Sequence, residues 1–195
     1  MASDMIWHDL KRIQEAGKPV VISMGDYAAS GGYYISAAAD KIIAQPNTIT
    51  GSIGVFGGKM DLSGVYENVG IHTHTWRRGE LASLFSMGSS FSDPERAKFR
   101  QFLEGFYDVF LTRVSDGRHL PKEDVHTVAQ GRVWTGTQAL ERKLVDELGG
   151  LDLAIQRARE LAEIPEGTDV GILRLPRQKT LIEKLAEDLQ GGQAS

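Results

Sequence analysis

The chain has 195 residues, 41% hydrophobic and 25% charged, with a net charge of −4, a composition that suits one globular domain with a sizeable core. No apolar run approaches the roughly 20 residues needed to span a bilayer, and no basic block marks a nucleic-acid-binding face. Cysteine is absent, which excludes a disulfide framework, a thiolate metal site and a cysteine nucleophile.

The opening "MASDMIWHDLKRIQEAG" enters helix periodicity almost at once, with Met5, Ile6, Leu10 and Ile13 spaced for one buried face. So early a start is expected of a chain that begins at a domain boundary of a longer protein. Gly17 and Pro19 end that pattern, and "PVVISM" is expected as a buried strand. The stretch "GDYAASGGYY" forms a turn around Ser30 and leads into a short helix over "YYISAAADKI". A second strand is expected at "IIA", a loop at "QPNTITGS", a third strand at "IGVFG" and a helix at "LSGVYENVG". "IHTHTW" alternates as a strand and runs into the turn "RRGE", followed by the glycine- and serine-rich "SMGSSFSD". Ser92 or Asp93, then Pro94 and Glu95, is a helix start, and Phe99, Phe102, Leu103, Phe106 and Phe110 predict a face buried in a core or against another subunit.

"LPKEDVHTVAQG" adds a helix with Pro121 near its first turn, and "VWTGTQALERKLVDELGG" a strand end, a Thr135 cap and a short helix. "LDLAIQRARELAEI" predicts a helix, "VGILRL" a strand, and "LIEKLAEDLQ" an amphipathic helix in a C-terminal tail over 176–195. Strands alternating with helices predict an α/β fold with a largely parallel sheet, here one domain over 1–195.

A serine nucleophile needs a base, an exposed position and backbone N–H groups aimed at the developing oxyanion. The context of Ser30 supplies the last two: a strand–turn–helix, with Gly31 and Gly32 free of side chains at a helix N-terminus. The pattern is A-x-S-x-G rather than the G-x-S-x-G of the α/β-hydrolase elbow. A simple helix cap satisfies the same residues, and on this stretch alone it is the commoner role for such a serine.

The segment "MGDYAASGGYYISAAADKIIAQPNTITGSIGVFG" resembles the nucleophile segment of the signal peptide peptidase A (protease IV) family of serine–lysine peptidases, family S49. "ENVGIHTHTWRRGE", "GRHLPKEDV" and "AQGRVWTGTQALERKLVDELGGLDLAI" extend the resemblance, in order, over nearly the whole chain. It implies a ClpP/crotonase-like α/β fold, incomplete at its N-terminus, that works without metal or cofactor. It assigns Ser30 as nucleophile, the Gly31 N–H to the oxyanion hole, and Ser52 of "TGSIGV" to orienting the lysine base. The glycines after Ser52 do not spell a dinucleotide motif. Gly51, Ile53, Gly54 and Val55 are expected to lie along a substrate backbone, as peptide-binding edges do.

The lysine itself is missing. In single-domain members it follows the glycine of an R-x-G turn by three residues, where "RRGELAS" has Ala82. The long form of the family draws its lysine from an N-terminal repeat and its serine from a C-terminal one, and this chain resembles the latter. The implied partners are a lysine-bearing N-terminal half or another subunit, further copies of the chain in a homo-oligomer, and hydrophobic peptides such as cleaved signal peptides. The implied location is the bacterial inner membrane, with the catalytic part facing the periplasm or cell exterior and the anchor outside this chain. By itself the chain is expected to be inactive. The alternative is a catalytically silent peptide-binding or assembly module; an acyl-CoA enzyme of crotonase type would need glutamates near paired oxyanion N–H groups. Lys59 is expected as a solvated lysine rather than a base, His72 and His74 as polar residues on an exposed strand, and His119 and His126 as solvent-facing.

Overall fold

The computed structural model describes residues 2–176. It divides into two units, Met1–Glu163 and Ile164–Ser195. The first opens with α1 (Ala2–Glu15), followed by β1 (Val21–Ser23), β2 (Tyr27–Ala29), α2 (Gly31–Ser36), β3 (Lys41–Ala44), β4 (Ile49–Gly51) and α3 (Ser63–Asn68). The long α4 (Asp93–Arg118) comes next, then α5 (Lys122–Val128), β5 (Val133–Thr135), α6 (Gly136–Glu141), β6 (Glu147–Leu148) and α7 (Leu151–Leu161).

The strands form two three-stranded sheets. One is wholly parallel in the order β1-β3-β6; the other has the order β2-β4-β5, with β2 and β4 parallel and β5 antiparallel. The pairing of Ala29 with Gly51 makes β2 and β4 end side by side. Ser30 and Ser52 therefore leave adjacent strands at their carboxyl ends, where open α/β sheets collect ligands. Both strands fall where the sequence predicts a turn and a loop. Three residues are too few for an alternation to register, and Thr50 and Gly51 are buried on a strand that no solvent face marks.

Tyr33, Ile42, Ile53, Val114, Val125 and Leu144 are fully buried in one core. Ala37, Ala38 and Ala39 let α4 approach the end of α2 so closely that a β-carbon on Gly117 would overlap the Ala37 carbonyl. Local start signals for α4 and α6 are realised as capping boxes: Ser92 accepts from the Glu95 N–H, Thr135 from the Gln138 N–H, and both acidic or amide side chains reach back.

Three expectations are corrected. The buried residue of α1 is Trp7, flanked by half-buried Leu10, while Met5, Ile6 and Ile13 are exposed. Its core-facing stripe is set by the Arg113 guanidinium, which stacks on Trp7 at 3.9 Å, a partner the local pattern cannot announce. The phenylalanine stripe of α4 meets the core only at Phe110; Phe102 and Phe106 are exposed on this chain, which is not a correction, because the expectation also allowed burial against another subunit. Neither "IGVFG" nor "IHTHTW" forms a strand, because no neighbouring strand runs alongside either. In the second unit "VGILRL" is likewise irregular, with Ile172, Leu173 and Leu175 exposed. The helix expected over 181–190 lies outside the described residues.

Candidate active site

Ser30 has φ 53° and ψ −116°. For a residue with a β-carbon this is a sparsely populated conformation, costing of order 1–3 kcal/mol, and it persists only where surrounding structure over-determines it. Two backbone hydrogen bonds do so: the Ser30 N–H donates to the Gly51 carbonyl at 2.9 Å, and the Ser30 carbonyl accepts from the Tyr34 N–H at 2.8 Å. Ser30 stands at the N-cap of α2, yet its side chain makes no capping hydrogen bond, and the residue is exposed. The conformation strains the chain to present the hydroxyl instead of using it to cap. A sharp strand–serine–helix turn therefore arises here with Ala28 and Gly32 at the flanking positions.

Gly31 is the first residue of α2, so its N–H has no helical partner, and none is formed elsewhere among the described residues. A β-carbon at Gly31 would lie 2.7 Å from the Ser3 hydroxyl oxygen, so a side chain there would require the Ser3 hydroxyl to turn away. Ser30 and Gly31 open onto a cleft of about 550 Å³, within the usual range for a ligand site. Val55, Phe56, Phe106 and Val109 form its apolar wall, and Ser3, Asp4 and Tyr34 its polar end.

Ser52 also has a left-handed backbone, φ 50°, directly after Gly51 at φ 75°. Its N–H donates to the Arg132 carbonyl at 2.7 Å, while its hydroxyl has no hydrogen-bond partner among the described residues. The residues expected along a substrate separate. Gly54 and Val55 line the cleft with Ser30. Ile53 is fully buried in the core. Gly51 sits in the β2–β4 ladder, where a β-carbon would meet Trp134 at 2.8 Å.

Lys59 is not solvated, contrary to expectation. Its side chain is only 6% exposed, with Nζ 4.0 Å from Glu95 Oε2, 3.1 Å from the Ser83 carbonyl and 4.6 Å from the centre of the Phe91 ring. Glu95 completes the cluster by accepting from the Ser83 hydroxyl at 2.7 Å and the Ser92 N–H at 2.9 Å. These donors, helped by Lys59, pull its pKa down to about 2. Ala82 lies in the exposed turn directly before Ser83. The lysine nearest in sequence to the cleft-lining residues 54–56 is thus already committed to a buried carboxylate.

His72 and His74 are exposed as expected, although on no strand, and His74 packs edge-on against Trp76. His119 ends α4 in a left-handed conformation. His126 does not face solvent alone: its ring nitrogens meet the Tyr107 hydroxyl at 3.0 Å and the Gln130 amide at 3.1 Å. The cleft residues that sequence reasoning missed, besides Tyr34, are Ser3, Asp4, Phe56, Phe106, Val109 and Phe110. For Tyr34 a signal existed, since a helix starting at Gly31 brings it one turn from Ser30; for the others, the contacts are set by tertiary packing.

Known proteins sharpen these observations. The "Serine protease SPPA, chloroplastic" of Arabidopsis thaliana is 40% identical over 181 residues, 92% of this chain and 27% of that protein. "Protease 4" of Haemophilus influenzae is 41% identical over 169 residues, 87% of this chain and again 27% of its relative. The chain thus spans about a quarter of the length of these proteins. Among solved structures, a lysine-to-alanine mutant of the 1510-N membrane-bound stomatin-specific protease, in complex with a substrate peptide, matches with a TM-score of 0.50. The match covers 96% of this chain and 77% of that one at 16% identity, a likeness of fold. That fold is the ClpP/crotonase-like α/β arrangement that the sequence resemblance implies. The model of "Peptidase family S49" matches residues 12–165, most of the chain and nearly every element described above, and the chain belongs to that family.

Proposed function

We propose that this chain is the serine-bearing part of a serine peptidase of the signal peptide peptidase A type. Ser30 attacks the scissile carbonyl, the Gly31 N–H stabilises the oxyanion, and the acyl-enzyme ester is then hydrolysed. The observation that carries this reading is the conformation of Ser30: a strained backbone and an uncapped, exposed hydroxyl on the floor of a cleft. The apolar wall suits hydrophobic peptides, cleaved signal peptides among them.

The base is a lysine from outside this chain, from an N-terminal half or another subunit of a homo-oligomer. Among the described residues the cleft is lined by neither lysine nor histidine, and Lys59 is held by Glu95. Ser52, whose hydroxyl is uncommitted, orients that lysine. Such a peptidase works at the bacterial inner membrane, facing the periplasm or cell exterior, with its anchor elsewhere; among the described residues no helix is long and apolar enough to cross a membrane.

A fluorophosphonate probe tests the proposal. The complete protein is expected to be labelled at Ser30 and Ser30→Ala not at all, while the 195-residue chain alone hydrolyses peptides negligibly. Robust turnover by the isolated chain that Ser30→Ala abolishes overturns the external base. A complete protein that binds peptides but takes no label is instead a silent binding module.

A further inference from the structure

The strained turn at Ser30 has a backbone bond on each side, and side chains tie both. On the strand side the Thr50 hydroxyl donates to the Ala28 carbonyl at 2.8 Å, and on the helical side the ties run through Tyr34. Tyr34, whose N–H donates to the Ser30 carbonyl, lies one helical turn further on. Its ring packs against Phe110 of α4, with centroids 5.0 Å apart. Its hydroxyl donates to Asp4 Oδ1 of α1 at 2.6 Å and accepts from Arg113 Nε of α4 at 3.4 Å. Arg113 also donates to the same Asp4 oxygen at 3.3 Å, and its guanidinium is stacked on Trp7. Three helices therefore meet at one phenol, on the polar end of the Ser30 cleft.

We propose that Tyr34, Asp4 and Arg113 are positioning residues for Ser30: a polar clamp across α1, α2 and α4 that holds the first turn of α2, and with it the nucleophile, in its strained conformation. This rests on reading Ser30 as the nucleophile. A phenylalanine would fill the same apolar space, so packing alone does not call for the hydroxyl. The hydroxyl adds direction, because it is fixed between a cation and an anion that are themselves paired. The Tyr34 hydroxyl and Arg113 hold Asp4 below the usual carboxylate range, which keeps the acceptor ionised at working pH. The clamp also accounts for the approach of α1 to Gly31, where the Ser3 hydroxyl would lie 2.7 Å from an added β-carbon. Asp4 draws the first turn of α1 onto α2, and Ser3 comes with it.

Two measurements on Tyr34→Phe, Arg113→Met and Arg113→Lys test the clamp. The first is amide hydrogen exchange in the 195-residue chain. Exchange at the Ser30 and Tyr34 N–H groups is expected to quicken by about tenfold in Tyr34→Phe and Arg113→Met, from loss of a charge-linked hydrogen bond. Amides of the β1–β3 ladder should keep their protection, and Arg113→Lys should fall between. The second is fluorophosphonate labelling of the complete protein. The maximal rate should fall by about tenfold with the half-saturating probe concentration unchanged, and Arg113→Lys should restore part of it. Unaltered exchange at Ser30 and Tyr34 overturns the clamp, and so does equal acceleration throughout the β1–β3 ladder, which would mark a general loss of stability. If the wild type takes no label, the nucleophile reading fails while the exchange experiment still decides the clamp.

Discussion

Residues 20–52 and residues 53–91 carry similar amounts of strand-like sequence and fold differently. In the first stretch every strand has a neighbour, and Ile42, Ile43 and Thr50 are completely buried. In the second, the short α3 is the only regular element, and Phe56, Trp76 and Phe85 are 99%, 89% and 73% exposed. Polar anchors hold this stretch instead: Asp61 accepts from Ser63 and Ser90, and Glu95 from Ser83 and Ser92, with Lys59 beside it. A period of two residues becomes a strand only when another backbone completes its ladder; without one, side-chain hydrogen bonds must fix the path of the chain.

The contrast is broken most severely from the packed side. In Gly117→Ala the new methyl overlaps the Ala37 carbonyl, so α4 or the C-terminal end of α2 must move. A loss of about 3 kcal/mol or more is expected in urea unfolding, from overpacking against backbone. Gly64→Ala, in α3, meets nothing within 4 Å and should instead stabilise by about 0.5–1 kcal/mol at most. Similar outcomes for the two substitutions would remove the distinction between the regions.

Lys59→Met is a smaller effect with a local reach. It removes the cation beside Glu95 and one of two donors to the Ser83 carbonyl, which keeps only the Ser86 N–H. Protease cleavage within 77–91 should quicken by about tenfold, with the β1–β3 core still protected. Uniform loss of protection would show that the two stretches unfold as one.

Acid should separate them as well. Glu95 and Asp61 both titrate at about 2 in the folded chain, held down chiefly by the Ser83 and Ser90 hydroxyls respectively. A carboxylate whose folded pKa is depressed stabilises the fold above its unfolded value, and that stabilisation fades as pH falls towards the folded one. The window therefore runs from about 4.5 down to about 2. Exchange around 59–95 should rise across it before the sheets respond, and Glu95→Gln should flatten the dependence.

These comparisons also show what the sequence could reveal. The helix start at Ser92 or Asp93 and the Thr135 cap were legible because the capping partners lie within four residues. The position of the Ser30 turn was legible for the same reason. The stretch alone left two roles open, because a capping serine and a strained, uncapped one share the same letters and differ only in backbone dihedral; the resemblance of the surrounding segment favoured the nucleophile. β4 was hidden inside a stretch rich in turn formers, and it is a strand because β2 and β5 flank it. The buried faces of α1 and Lys59 were misassigned because their partners, Arg113 and Glu95, lie far along the chain.

The smallest expected effect is the most direct check on the irregular stretch. Trp76 is 89% exposed, and its one aromatic neighbour, His74, is exposed too. The residues from 72 to 78 make no backbone hydrogen bond among the described residues. If the alternation of "IHTHTW" stabilises nothing within the chain, Trp76→Ser and His74→Ala should each change unfolding free energy by less than about 0.5 kcal/mol. A loss above about 1 kcal/mol at low protein concentration would mean that the segment packs within the chain after all. A loss that appears only as concentration rises would mean that its ladder is completed by another copy.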